Sequence, residues 1–357
     1  MHTKNFVDIP FKNLRLWDAG VFWPDLEKKD NEWDFTKLDK YVEIAEKNGY
    51  TLMLTLGQSP EWAASNIYIN SPYGGGVKQV APKSIEIWKR YIRTLGTRYK
   101  GKIRYWEIWN EPDVWPFYFG SIQKMVELAK SCYEILKEID PENKIITPSI
   151  TGWKGWPGGL AWLDLYLSLG GAKYCDIIGF HFYNGDLTPP EIAFSHIKEI
   201  YKILKRHNLL DKPLWNTESG FHLRTKFNQL GAAYVARMHI INLYIGVDKF
   251  FWYAMDNHQF GLLYDFNKNQ IKESGVAYIE TQKWLIGKKI VSLINKEGIY
   301  ICELNTEEKI VWKERGKKKI KIPEHWNIKK IRFLDGRIEE IKDKYFIITE
   351  TPVMFSK

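Results

Sequence analysis

Three cysteines in 357 residues are too few for a disulfide framework. Cys132, Cys175 and Cys302 are far apart and outside any C-x-x-C pair, which excludes a zinc knuckle as well. The eight histidines show neither HExxH nor clustered ligand spacing, so neither a metal nor an organic cofactor is expected. No window approaches the ~18 consecutive apolar residues of a membrane span, and Lys4, Asp8, Lys12 and Arg15 interrupt any signal-peptide core. As numbered, the chain reads as cytoplasmic with no membrane partner; a start further upstream would reopen secretion. Internal repeats, low-complexity tracts and Ser/Gly linkers are absent too, and 45% hydrophobic with 27% charged residues is a globular composition.

Charge is only mildly biased. The 52 basic and 43 acidic residues leave +9, and 17 of the basic against 11 of the acidic ones lie after Gly287. No arginine-rich recognition helix, zinc-finger spacing or aromatic ribonucleoprotein motif accompanies that excess, so no nucleic-acid partner is expected. The abundant class is aromatic, with 16 Trp, 20 Tyr and 18 Phe. Such rings fill cores, and they also form the flat apolar surfaces on which sugar rings and nucleobases stack.

From about residue 14 to 286, short apolar runs alternate with helical patterns, as in βα units around a parallel sheet. Strands are expected at 14–17, 51–56, 103–109, 145–148, 176–183, 213–218 and 249–254. Ile85, Trp88, Ile92, Leu95 and Tyr99 share one helix face, and Ile122, Met125, Ala129, Cys132, Leu136 and Ile139 another. Gly49, Gly101, Gly170 and Asp140-Pro141 stop helices. Seven strands are one short of an eight-stranded (β/α)8 TIM barrel, and Met1–Lys4 is the candidate stub of an abbreviated or missing first strand. After Gly287 come short β-branched segments at 290–294, 299–304, 309–313, 318–322, 329–334 and 345–349, separated by turns such as Asp335-Gly336. The expected fold class is α/β, with a barrel over residues 1–286 and a small β-sandwich-like domain over 287–357.

Parallel barrels place reactive groups at the C-terminal ends of their strands. Two glutamates fit: Glu111 in Trp109-Asn110-Glu111-Pro112, and Glu218 in Trp215-Asn216-Thr217-Glu218-Ser219-Gly220. A lone strand-end Glu is more often an ion-pair partner. Two of them facing one cleft suit glycoside hydrolysis, in which one carboxyl protonates the leaving oxygen and the other attacks the anomeric carbon. Glu107, four residues before Glu111, reads as a paired structural carboxylate.

Trp109-Asn110-Glu111-Pro112 and Asn216-Thr217-Glu218 resemble the acid/base and nucleophile motifs of the clan A retaining glycoside hydrolases. More narrowly, Leu14-Arg15-Leu16-Trp17-Asp18, Trp23-Pro24-Asp25-Leu26-Glu27, Leu38-Asp39-Lys40-Tyr41-Val42 and Ser59-Pro60-Glu61-Trp62-Ala63 are similar to family 39, the β-xylosidase and iduronidase family. The likeness runs to about residue 286, and the C-terminal β domain fits the family's layout. It implies catalytic glutamates at the ends of barrel strands four and seven. Glu111 and Glu218 end the third and sixth visible strands, as they should if one strand is missing at the start.

The resemblance implies retaining hydrolysis of a β-linked O-glycoside through a covalent glycosyl-enzyme, with a carbohydrate substrate. It further implies that Arg15 keeps the nucleophile ionised, Asn110 binds the sugar 2-hydroxyl, and His181 lines the site. Tyr183 would donate to Glu218, and Trp252 would floor the sugar. Trp62, Trp115, Trp153 and Trp156 fall on loops at the expected catalytic face, as stacking platforms or as loop cores. His222, Asp113, Asp186 and Asp256 are near the mouth without a motif. A transglycosylase using the same residues, and a non-catalytic carbohydrate-binding barrel, remain open at this stage. No pattern speaks to the sugar, to exo or endo action, or to oligomeric state.

Overall fold

The computed structural model describes residues 9–71, 77–152, 158–183, 188–221, 230–257 and 260–357. They form two compact units. The first is built from Phe11–Phe182 and Lys198–Glu218, the second from Tyr183–Ile197 and Ser219–Lys357 together with Ile9 and Pro10.

In the first unit, β1 (Asn13–Leu16) pairs in parallel with β2 (Thr51–Leu56), β2 with β3 (Tyr105–Ile108), and β3 with β4 (Lys144–Ile146). The array continues through the parallel bridges Ile146 to Ile177 and Ile150 to Phe180 into β5 (Ile178–His181), which pairs with β6 (Leu214–Ser219). Spatial order therefore follows chain order. Each crossover carries a helix of ten residues or more: α1 (Thr36–Asn48), α2 (Ile85–Arg98), α3 (Ile122–Ile139), α4 (Gly159–Ser168) and α5 (Ala193–Arg206). This is the parallel βα arrangement expected from the hydrophobic pattern. The candidate first strand at Met1–Lys4 lies outside the described residues.

Local chemistry sets the helix ends. Ser84 caps α2 by accepting from Glu86 N at 3.1 Å, and Ser121 caps α3 by accepting from Lys124 N at 3.2 Å. Gly49 ends α1 at φ 66°. On the predicted faces Trp88, Ile92, Leu95 and Tyr99 are buried, as are Met125, Ala129, Cys132 and Leu136. Gly96 lets α2 and α3 approach closely, since a Cβ there would stand 2.8 Å from both Ile139 Cδ1 and Leu136 Cδ2. All three cysteines are free and buried, and burial pushes each thiol up.

The second unit holds β7 (Lys249–Trp252), α6 (Gly231–Tyr244), α7 (Glu273–Leu285) and a C-terminal antiparallel sheet. The strands of this last part are β8 (Ile290–Lys296), β9 (Ile299–Leu304), β10 (Lys309–Lys313), β11 (Lys318–Lys321), β12 (Lys330–Arg332), β13 (Ile338–Glu340), β14 (Tyr345–Ile348) and β15 (Val353–Ser356). Six of them form one sheet in the order β8-β9-β10-β15-β12-β13, and β11 pairs with β14. Alternation divides the side chains. Tyr300, Cys302, Leu304, Ile310 and Trp312 pack with Ala236, Ile240, Ala277 and Trp284 of α6 and α7, while Val311, Ile331, Val353 and Phe355 pack with Ile322 and Ile348. Two strands were not anticipated: β13, an exposed Ile-Glu-Glu without alternation, and β15, whose four buried residues pair with both β10 and β12.

Inside this unit Arg237 is fully buried. Its Nε donates to Glu191 Oε1 at 2.8 Å and its Nη2 pairs with Glu191 Oε2. Trp312 Nε1 also donates to Glu191 Oε1, at 2.7 Å, and the Trp312 ring stacks on Tyr300 with centroids 5.1 Å apart. The carboxylate is thus neutralised and hydrogen-bonded, without which its burial would be costly.

Candidate active site

The site grows from irregular backbone at the end of β3. After Ile108 the chain turns through Trp109 at φ 62° and Glu111 at φ 45°, both left-handed and disfavoured for side-chain-bearing residues. Neighbouring groups hold the turn. Trp109 N donates to Leu56 O at 2.8 Å, Trp109 Nε1 to Phe117 O at 2.9 Å, and Glu111 N to Ser149 O at 3.0 Å. The Trp109 ring fits because residue 57 is glycine: at φ 125°, a Cβ there would lie 2.6 Å from Trp109 Cε3.

Arg15 organises the centre. Its Nη1 lies 2.5 Å from Glu218 Oε2, its Nε donates to Glu107 Oε2 at 2.8 Å, and its Nη2 to Asn110 Oδ1 at 2.6 Å. One planar cation thereby fixes groups from β3 and β6. Glu107 is fully buried and also accepts from Thr55 Oγ1 and Ser149 Oγ, each at 2.6 Å, and Ser149 Oγ meets Thr217 Oγ1 at 2.8 Å. Burial alone would raise Glu107, but Arg15, His181 and the two hydroxyls outweigh it and hold this carboxyl below its ordinary range.

Glu111 is treated oppositely. Burial comes first and pushes it up to about 8, with the nearby negative charges of Asp113, Glu107 and Asp18 adding to the rise and Arg15 opposing it. His181 Nδ1 lies 2.8 Å from Glu111 Oε1. Burial also holds the His181 imidazole down to about 4, so the two partners are both uncharged at neutral pH. Donor atoms of Glu111, His181 and Glu218 all lie within 4.8 Å of one another. By residue type these three could hold a cation, yet Arg15 already touches Glu218 and Glu111 favours its protonated form. Metal ligands must be deprotonated, so the arrangement suits proton transfer better.

The structure brings together Arg15, Asn110, Glu111, His181 and Glu218 from the sequence-predicted residues. Trp62 is committed to packing: its Nε1 donates to Glu27 O at 3.0 Å, its ring meets Trp23 edge-on, and Arg90 lies over it. Trp115 is 71% exposed on the segment after Glu111. Tyr183 and Trp252 belong to the second unit, where Tyr183 meets Phe260 edge-on and Trp252 Nε1 donates to Gly261 O at 2.7 Å. Trp153, Trp156, Asp186 and His222 lie outside the described residues. Sequence reading did not identify Thr55, Ser149 and Thr217, small hydroxyl residues whose convergence depends on strand register, nor the linkage of Glu107 to the centre through Arg15.

The fold has counterparts among solved structures. A family 39 glycoside hydrolase from Bacteroides cellulosilyticus WH2 is 18% identical, with 97% of this chain and 75% of that one covered at a TM-score of 0.76. A monomeric β-xylosidase from Caulobacter crescentus CB15 is 14% identical, with 97% and 89% covered at 0.68. A family 30 subfamily 8 xylanase from Clostridium acetobutylicum is 17% identical, with 96% and 87% covered at 0.63. These likenesses are ones of fold. The family model for glycosyl hydrolases family 39 matches residues 7–238, the stretch that carries Arg15, Asn110, Glu111, His181 and Glu218. The chain therefore belongs to glycosyl hydrolases family 39 and is a glycoside hydrolase.

Proposed function

We propose that this glycoside hydrolase cleaves β-linked O-glycosides of a carbohydrate substrate with retention of configuration, Glu218 acting as nucleophile and Glu111 as acid/base. The observation that carries the reading is the closeness of the two carboxyls, whose donor oxygens lie within 4.8 Å. Retaining enzymes place their pair about 5–5.5 Å apart, whereas inverting ones need roughly 6.5–9.5 Å to admit a water.

In the first step a Glu218 oxygen attacks the anomeric carbon while the bond to the leaving oxygen breaks and Glu111 gives that oxygen its proton. In the second, Glu111 takes a proton from water as the water oxygen attacks the same carbon, and the ester to Glu218 breaks. Two inversions retain configuration. The contrasting treatment of the carboxyls supports these roles: Arg15 stabilises charge on Glu218, and burial favours the proton on Glu111. Asn110, oriented by Arg15, is assigned the sugar 2-hydroxyl, and His181 positions Glu111. The exposed Trp115 is assigned the rim. The fold proposed for the chain is a (β/α)8 barrel over residues 1–286 with its first strand abbreviated or missing, followed by a β domain over 287–357.

The test is a screen of aryl β-glycosides with the first-formed product anomer followed by NMR. The β anomer is expected; appearance of the α anomer first would overturn the retaining assignment. A competing sugar acceptor in the same assay separates hydrolysis from transfer.

A further inference from the structure

The pairing of β6 with β5 slips just before Glu218. Trp215 lies opposite Gly179 and Asn216 opposite Phe180, but Glu218 lies opposite His181, which leaves Thr217 as the extra residue of a β-bulge. A bulge kinks its strand and re-aims a side chain. Without the extra residue Thr217 itself would stand opposite His181, and Glu218 would fall one place further along the strand. Thr217 is fully buried, and its Oγ1 lies 2.8 Å from Ser149 Oγ. Ser149 Oγ donates to Glu107 Oε1 at 2.6 Å. A hydroxyl has one proton, so Thr217 is the donor to Ser149. The chain from Thr217 through Ser149 thus ends on the carboxylate that also holds Arg15, whose Nη1 reaches Glu218.

Ser149 serves the other glutamate as well. Its carbonyl accepts from Glu111 N at 3.0 Å, at the left-handed turn where Glu111 has φ 45°. The neighbouring strand β5 leaves it room, since a Cβ on Gly179 would stand 2.2 Å from Ser149 Oγ. We infer that Ser149 is a positioning residue for catalysis: its hydroxyl holds the Thr217 bulge that aims Glu218, its carbonyl holds the turn that presents Glu111, and together they set the spacing of the two carboxyls. The inference rests on the nucleophile role proposed for Glu218. Ser149 is fully buried and its proton is committed to Glu107, so it acts through its neighbours and not on the sugar. Its loss should therefore appear in kcat and not in KM.

The experiment uses two probes: the 4-nitrophenyl β-glycoside that wild type turns over fastest, and the 2,4-dinitrophenyl 2-deoxy-2-fluoro-β-glycoside of the same sugar, which traps the glycosyl ester. Thr217→Val removes the hydroxyl at constant shape, Thr217→Ser keeps it, and Ser149→Ala removes its partner. Since a misplacement of about 1 Å can cost on the order of 100-fold, Thr217→Val should lower kcat and the trapping rate constant by roughly 30- to 100-fold, with KM changed by less than about threefold. Thr217→Ser should recover most of the rate. Ser149→Ala should lose at least as much as Thr217→Val, and it decides the matter if Thr217→Val does not fold. The double variant should lose no more than Ser149→Ala alone, because both changes break one hydrogen bond. Folded variants that lose heat stability with kcat unchanged, a rise in KM in place of the fall in kcat, or Thr217→Ser as slow as Thr217→Val would each overturn the inference. Mass spectrometry of the trapped wild type separates the two readings. A label on Glu218 supports the nucleophile role whatever the variants do, and a label elsewhere, or none, overturns that role and this inference with it.

Discussion

Arg15 Nη1 lies 2.5 Å from Glu218 Oε2, across 203 residues of chain, and the same guanidinium also holds Glu107 and Asn110. Its charge is intact because the two carboxylates raise its pKa against the opposing effect of burial. Arg15→Met leaves Glu107 charged and unpaired in the interior, which should destabilise the protein by about 3–5 kcal/mol. Urea unfolding at pH 7 measures it. Arg15→Lys keeps the charge but cannot make three divergent contacts, and should recover only part of the loss. Unchanged stability in Arg15→Met would show that the contacts contribute nothing.

Removal of either glutamate has a distinct signature. Glu218→Ala should lower kcat by at least about a thousandfold on every β-glycoside. Glu111→Ala should depend on the leaving group, with a loss on the order of 100-fold or more for an alkyl glycoside and a far smaller effect on glycosylation with a dinitrophenyl one, which leaves without a proton. Turnover of Glu218→Ala within about tenfold of wild type would sink the nucleophile assignment.

Glu111 also makes stability depend on pH. In the native state it keeps its proton up to about pH 8, whereas an exposed Glu releases it near 4.5. The native state thus binds more protons between those values, so this residue's contribution to stability falls as pH rises through that window. Glu111→Gln cannot ionise. It should be more heat-stable than wild type at pH 9, and the difference should shrink toward pH 5. Melting curves at the two pH values check this, and an equal difference at both would argue against a raised Glu111.

In the second unit, Trp312→Phe keeps the ring stacking on Tyr300 but removes one of the three donors on Glu191. The expected cost is about 1–3 kcal/mol. Arg237→Met, which strips the cation from a buried carboxylate, should cost about 3–5 kcal/mol. If the two variants unfold at the same denaturant concentration as wild type, Glu191 is not held as described.

Trp115 is exposed, so Trp115→Ala should leave stability within about 0.5 kcal/mol. As a rim platform it should matter for longer substrates, with KM raised for an oligosaccharide and little changed for a small aryl glycoside. An equal effect on both substrates would remove it from the binding surface.

Hydrophobic period alone revealed six of the parallel strands with their helices, because each βα unit buries one face in a repeating pattern. It revealed β9 and β10 for the same reason, through alternation in Ile299–Leu304 and Lys309–Lys313. It failed at β13, a short polar edge with no buried face, and at β15, whose three apolar residues before Ser356 read equally as a tail. Glu111 and Glu218 were legible because a carboxylate at the end of an aromatic strand is an unusual local pattern. Thr55, Ser149 and Thr217 were not, since a small hydroxyl residue near a strand end is ordinary until register places three of them around one carboxylate.

The sequence by itself determined the βα order, through its periodicity, and named two strand-end glutamates as candidates for the chemistry. Only the tertiary structure decided how each ionises. Glu107 and Glu111 are the same residue type four positions apart, both buried, and their pKa values move in opposite directions. The difference comes from what surrounds each: Arg15 and two hydroxyls beside Glu107, and beside Glu111 a neutral imidazole with the negative charges of Asp113, Glu107 and Asp18, only partly opposed by Arg15. Those partners come from strands up to 92 residues away, and the distances that set their energies exist only once the strands are in register.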